Sequence, residues 1–346
     1  MKDLLTGRLR DILLSGSDFA AWRLPGESVV SVLSARSSVK FNDLEEMNGR
    51  CGFVIFPYDG GLHPGVLLEA SVIETFSEPS GELPAPFRPA GAPSDPPADY
   101  VAAFEKITSV LRDQNDPLKK AALSYSFRHE WGGAAPYPAA EAFARACLGY
   151  RSAYVFMFRS AASGLWMGCS PEILLSNEKN EWKTVALAGT AADREGLFST
   201  KNMEEHLVVV DYIHDALRLH FGWECAMYGP YPLVADSGVI HLCTEMLFGN
   251  HEPGLAGGIL KALHPTPAVS CGRMSVFEGY DRRYYTGFAG MLDPGGRTGV
   301  YVNLRCVNIE PDALTLYAGG GLTAGSILAD EWSELTSKLK TMLAVV

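Results

Sequence analysis

In 346 residues no apolar run comes near the ~20 that a helix needs to cross a bilayer. Positive charge is in deficit: 29 Lys and Arg stand against 40 Asp and Glu, a net charge of −11. A surface with surplus acid repels phosphate backbones and anionic lipid, so neither a nucleic-acid nor a membrane partner is expected. A small anionic ligand is not excluded, because it needs only a local basic pocket. No two of the seven cysteines (51, 147, 169, 225, 243, 271 and 306) are spaced as CxxC, and their number is odd. This disfavours a zinc site or a disulfide framework and points to the reducing cytoplasm. HExxH and P-loop motifs are also missing, as is any internal repeat. Residues 1–16 carry Lys2, Asp3, Arg8, Arg10 and Asp11 with no apolar segment after them, so no signal peptide is expected.

What is present is a mixture of helical and strand-like patterns. Helical spacing of apolar residues predicts helices over 4–14, 99–114, 204–220, 255–263 and 329–343. Short β-like runs occur at 29–33, 52–56, 120–124, 153–159, 164–169, 173–176, 184–187, 241–247, 299–308 and 314–318. Residues 79–98, rich in Pro, Gly, Ser and Ala, read as a long loop. Strands and helices do not alternate strictly. The expectation is an α+β fold with large, mostly antiparallel sheets and not a doubly wound parallel one.

Five places could carry chemistry, and each has an ordinary reading beside it. On the last predicted helix, Glu331, Glu334 and Lys338 fall on one side. They are a solvated charged face, or an acid cluster approached by the predicted glycine turn Gly319-Gly320-Gly321, whose backbone N–H groups can come close to an anion. Glu204 and Glu205, at the predicted start of a helix, are dipole-stabilising acids or ligands. A carboxylate from each of two helices, without a nearby His or Cys pair, suits a hard cation such as Mg²⁺. Glu172, in Ser170-Pro171-Glu172, is a corner residue in solvent or a buried acid with a raised pKa. Lys120 is an edge charge or a base at a strand mouth. Arg305 reads as mid-strand in apolar company, where it wants an anionic partner.

In chain order these segments resemble the chorismate-utilising enzymes, the isochorismate, salicylate, anthranilate and aminodeoxychorismate synthases. The resemblance spans about 99–346. It is carried by Lys120-Ala-Ala-Leu-Ser124, Ser170-Pro-Glu172, Leu187-Ala-Gly-Thr-Ala191, Lys201-Asn-Met-Glu-Glu-His206, His241-Leu-Cys-Thr244 and His264-Pro-Thr-Pro-Ala-Val269. It continues through Tyr280-Asp-Arg282, Tyr285-Thr-Gly287, Arg305, Ala318-Gly-Gly-Gly321 and Glu331-Trp-Ser-Glu334 with Lys338. Lys120, the absence of an arginine after Gly189-Thr190, and the His264–Ala268 form of its loop favour the isochorismate synthases within the group. Ser270-Cys-Gly-Arg-Met274 departs from the family's usual Gly and Pro before a basic residue.

The resemblance implies two large, mostly antiparallel sheets packed as a sandwich and flanked by helices. Residues 1–98 would be a less typical portion of that fold ending in a Pro-rich loop, and 99–346 the catalytic region. It implies chorismate as substrate and an isomerase that adds water at C2 and expels the C4 hydroxyl. Lys120 would be the base and Glu172 the acid. Glu205 and Glu334 would hold Mg²⁺, with Glu331 a third ligand or an acceptor for metal-bound water. Gly189, Thr190, His241, Ala268, Tyr285, Arg305, Gly319, Gly320, Gly321 and Lys338 would line the substrate. A monomer in the cytoplasm is expected, with a lean toward menaquinone over siderophore synthesis. The rivals are a salicylate synthase and an inactive chorismate-binding protein.

Overall fold

The computed structural model describes residues 4–79, 83–87, 89, 91, 93–132, 136–178, 181–191, 193–234, 240–250, 253–270 and 272–346. The first segment gives α1 (Leu4–Ser15), β1 (Phe19–Arg23), β2 (Val29–Phe41), β3 (Gly52–Phe56) and β4 (Gly65–Ser77). Next come α2 (Ala98–Arg112), β5 (Ala121–Glu130), α3 (Ala139–Gly149), β6 (Tyr154–Ser160), β7 (Gly164–Ser170), β8 (Ile173–Glu178) and β9 (Glu181–Ala191). They are followed by α4 (Arg194–Leu197), α5 (Thr200–Phe221), β10 (Cys225–Val234), β11 (Ile240–Asn250) and α6 (Ala256–Leu263). The last segment is β12 (Phe288–Leu292), β13 (Thr298–Val302), β14 (Cys306–Ile309), β15 (Ala313–Leu322) and α7 (Leu328–Leu343).

The strands join in the order 10-11-9-8-13-12-3-4-2-1-6-7-14-15-5, every neighbouring pair antiparallel. This differs from two separate sheets: the hydrogen bonding is continuous. The sheet still packs on itself, because it curls. Phe53 of β3 meets Phe158 of β6, and Tyr154 of β6 stacks on Tyr301 of β13 at 4.0 Å, although several strands lie between them in the ladder. These rings, with Trp22, Phe156 and Trp166, form a core enclosed by the two halves. Helices cover both outer faces: α1, α2, α3 and α7 one, α5 and α6 the other. Residues 1–98 supply β1–β4, which sit in the middle of this sheet.

Two paired strands cross together from one half to the other. β7 passes into β8 through Pro171-Glu172, and β13 into β14 through Asn303-Leu304-Arg305. Pro171 has no N–H to give to a ladder, so pairing breaks there. Across the bend Cys169 N–H donates to Arg305 O and Val302 N–H to Glu172 O, both at 3.0 Å. Arg305 is therefore not mid-strand as the apolar run suggests. It takes φ 47° at the bend, a conformation that costs a side-chain-bearing residue about 1–3 kcal/mol and tends to mark functional sites.

The helices that bracket the site have sequence-level causes. Ser199 caps α5 by accepting from Asn202 N–H, and Gly222 ends it in the left-handed region at φ 67°. The helix thus starts at Thr200, and Glu204 and Glu205 lie beyond its first turn, unlike the sequence expectation. α7 buries Trp332, Leu335, Leu339 and Met342 along one stripe, each worth about 1.5–3 kcal/mol when fully removed from water. That stripe turns Glu334 and Lys338 toward β15.

Candidate active site

The cleft opens where the crossing strands part. It takes its walls from the start of β5, the β7–β8 and β13–β14 bends, β9, β11, α5, β15 and α7. Lys120, Glu172, Thr190, Glu205, His241, Ala268, Tyr285, Arg305, Gly319, Gly320, Gly321, Glu334 and Lys338 all line it. Two residues nominated from the sequence do not. Gly189, at φ 78°, is pressed against the Asn202 carbonyl, where a Cβ would sit 2.7 Å away. Glu331 is buried behind the cleft, accepting from Ser326 Oγ (2.7 Å) and pairing with Lys201 (3.1 Å).

Glu172 is buried, and loss of solvent pushes its carboxyl up to about 7 against the opposing charges of Lys120 and Lys338. A group in that range is protonated often enough near neutrality to donate a proton. Lys120 is equally buried, and its Nζ lies 2.8 Å from Glu205 Oε1. The residues expected to serve as base and as metal ligand are thus in contact.

The opposite wall is made for an anion. Arg305 is 8% exposed. Among the described residues no carboxylate pairs with it, and its guanidinium donates to Thr341 Oγ1 at 3.1 Å. Burial lowers its pKa accordingly. Beside it His241 is held neutral: burial first, then the charges of Lys338 and Arg305, bring it down to about 3. Its Nδ1 meets Thr190 Oγ1 at 3.1 Å, and its buried Nε2 has no partner among the described residues. An unsatisfied buried nitrogen and an uncompensated buried guanidinium on one wall are costly without a ligand.

Gly319–Gly321 form no turn. They continue β15, opposite Ser124, Leu123 and Ala122 of β5. Gly319 O accepts from Lys338 Nζ at 2.9 Å, and in an antiparallel strand the N–H of the same residue points the same way, away from β5. Steric need explains the glycines. A Cβ on Gly321 would lie 2.5 Å from Glu205 Oε1 and 3.0 Å from Lys120 Cε.

The all-oxygen donor set fits a hard cation in part. Glu205 and Glu334 face the cleft, and Mg²⁺ is commonly held by one or two carboxylates with water and substrate oxygens completing the shell. Among the described residues no three acidic, His or Cys side chains converge as a ready-made site. Each carboxylate is instead matched by a lysine: Glu205 by Lys120, Glu334 by Lys338 at 2.6 Å, Glu331 by Lys201. Burial opposes the ionised form of Glu334, but the charge and hydrogen bond of Lys338, with the more distant Lys201, outweigh it and keep its pKa below the usual value. Glu331 is raised by burial; its Oε1 is engaged by Ser326 and Lys201, and its Oε2 comes near the same Gly320 position as Glu334 Oε1, 3.6 and 3.8 Å from where a Cβ would sit.

A family model for chorismate binding enzymes matches residues 92–346. The chain belongs to that family. Isochorismate synthase DhbC of Bacillus subtilis (strain 168) is 34% identical over 197 residues, 51% of this chain and 49% of that protein, so the match spans about half the relative's length. The structure of MenF, the menaquinone-specific isochorismate synthase from Escherichia coli, superposes with a TM-score of 0.75 at 21% identity over 94% of this chain and 88% of that one. Anthranilate synthase component I from Streptococcus pneumoniae TIGR4 does so at 0.68 and 17% identity, over 94% and 90%. Those two likenesses are of fold, and the fold is shared by enzymes of different reactions.

The cleft is also shaped by residues to which no sequence pattern assigns a role. Thr341 orients Arg305 from α7. Arg282, within the Tyr280-Asp-Arg282 motif, lines the cleft and pairs with Glu278. The signal available was their i,i+4 spacing, which carries meaning on a helix; here only Gly272–Phe277, a 3-10 segment, precedes them. In the atypical stretch 270–274, Cys271 lies outside the described residues. Ser270 O accepts from Ala122 N–H at 2.9 Å.

Proposed function

We propose that the chain is an isochorismate synthase, isomerising chorismate by adding water at C2 and releasing the C4 hydroxyl. The observation that carries this is a buried, proton-holding Glu172 facing the same cleft as Lys120, with the uncompensated Arg305 on the wall between the two halves. Chorismate is a dicarboxylate, and the cleft offers two separate grips. Arg305, the neutral His241 and the free N–H edge of the glycine strand suit one carboxylate. Glu205 and Glu334 suit a Mg²⁺-bridged other, and bound Mg²⁺ would supply Lewis-acid neutralisation of that carboxylate.

Within this frame Lys120 would take a proton from water, and the hydrogen bond from its Nζ to Glu205 supports its position. Glu172 is placed to give a proton to the departing hydroxyl. Each such group typically contributes about 10²–10⁴-fold. Thr190 fixes the ring of His241 so that Nε2 faces the substrate.

The deciding experiment incubates the pure protein with chorismate and Mg²⁺ and identifies the product. Isochorismate alone supports the reading. Salicylate with pyruvate makes it a salicylate synthase, and binding without turnover makes it an inactive relative. We read the enzyme as a cytoplasmic monomer; no helix among the described residues is long and apolar enough to cross a membrane. Its product is assigned to menaquinone synthesis, which quinone and siderophore profiles of a deletion strain test.

A further inference from the structure

β5, which begins one residue after Lys120, is the last strand of the sheet and pairs only with β15. Its other edge has no strand neighbour among the described residues. A strand end with one free edge frays, yet this one must hold Lys120 in place. Ala122 and Ser124 turn their N–H groups to that free edge, and neither is left to solvent. Ala122 N–H donates to Ser270 O (2.9 Å). Ser124 donates to Glu278 Oε1 twice, from N–H (2.8 Å) and from Oγ (2.7 Å).

Glu278 is in turn gripped by Arg282, the pair being almost fully buried. The guanidinium has five N–H groups, and all are used. Nε donates to Glu278 Oε2 (2.6 Å), and Nη2 to Glu278 Oε1 (2.6 Å) and Ala122 O (2.8 Å). Nη1 donates to Val269 O (2.7 Å) and Thr286 Oγ1 (3.1 Å). The face of the guanidinium lies 4.3 Å from the Tyr58 ring. One side chain thus ties together the strand after Lys120, the wall at Ala268-Val269 and the turn carrying Tyr285.

We propose that the Glu278–Arg282 pair stands in for the missing strand on the β5 edge, making Arg282 a positioning residue that sets Lys120 in the cleft. The inference rests on the proposed role of Lys120. A lysine at 282 keeps the charge but has three donors on one atom, and it cannot serve five acceptors in a plane. The test is Arg282→Lys, examined by amide hydrogen exchange without substrate and by steady-state kinetics with chorismate and Mg²⁺.

Exchange over residues 121–125 should accelerate by about tenfold or more, with α5 unchanged, because none of the five acceptors of Arg282 lies on α5. The kcat should fall about 10- to 100-fold while KM stays within about threefold, the signature of a misplaced reacting group. Unchanged exchange on β5, or wild-type kcat despite faster exchange, overturns the proposal. If Arg282→Lys does not fold, Ser124→Ala decides, since it keeps the ion pair and removes the hydroxyl that bonds Glu278 (2.7 Å) and Tyr280 Oη (2.6 Å). It should move both readouts in the same direction by about threefold, and wild-type values for both overturn the proposal. The exchange arm needs no turnover, so a wild-type protein inactive on chorismate defeats the proposed function separately.

Discussion

Glu172 gives up its solvent for a position between two bends of the sheet, and that loss raises its carboxyl from 4.5 to about 7. Between those two values the folded protein holds a proton that the unfolded chain has released, so stability falls as pH rises through the window. The difference corresponds to roughly 3 kcal/mol at most. Glu172→Gln has no charge to bury. It should be more stable than the wild type at pH 8 and lose that advantage by pH 4.5, as urea unfolding at several pH values will show. A pH-independent difference would remove the burial argument. The same variant should lose about 100-fold or more in kcat, and wild-type kcat should decline as pH rises through about 7. Arg305 makes a different claim. Arg305→Lys should keep the fold and raise the KM for chorismate by about tenfold or more, since an ammonium cannot make the forked contact; an unchanged KM would take Arg305 out of the site.

At the scale of the element, the glycine strand separates steric demand from composition. Gly321→Ala places a methyl group on Glu205 and Lys120. The clash is with side chains, so the melting temperature should hold while kcat falls about tenfold or more. Gly320→Ala meets nothing closer than 3.6 Å and should be near wild type in both. Equal behaviour of the two variants would contradict the geometry. The sequence shows three glycines but not which of them matters, because that depends on α5, more than a hundred residues away in the chain. Other elements divide the same way. The apolar stripe of α7 is legible from spacing, and so is the long α5 helix. Its first turn, Thr200-Lys201-Asn202-Met203, is mostly polar, so apolar spacing puts the start at 204, and only the cap at Ser199 shows where the helix begins. The bend at Arg305 is invisible because apolar residues flank it on both sides, and only pairing with β7 and β8 breaks the run in two. Lys120 and Glu205 read as separate functions because local pattern carries no distance between segments 85 residues apart.

For the whole molecule, the cleft is a seam. α5 packs on one outer face of the curled sheet and α7 on the other, yet Glu205 and Glu334 reach the same cleft from these two helices. A cation held by both would tie the two halves of the sheet together, and any ligand that binds only the folded state stabilises it by mass action. At a concentration of Mg²⁺ 100 times its dissociation constant the gain is about 2.7 kcal/mol. For a chain of this length that amounts to a rise of about 4 °C in melting temperature. The rise should be absent in Glu205→Ala and in Glu334→Ala alike, because either loss leaves a single carboxylate. It should survive in Glu172→Gln, whose carboxyl is assigned to proton transfer and not to the cation. Activity should follow the same order and vanish in excess chelator. A melting temperature indifferent to Mg²⁺, together with full turnover in chelator, would mean that the carboxylates serve only their lysines; of those two pairs Lys120–Glu205 alone would then cross the seam, since Lys338–Glu334 lies within α7.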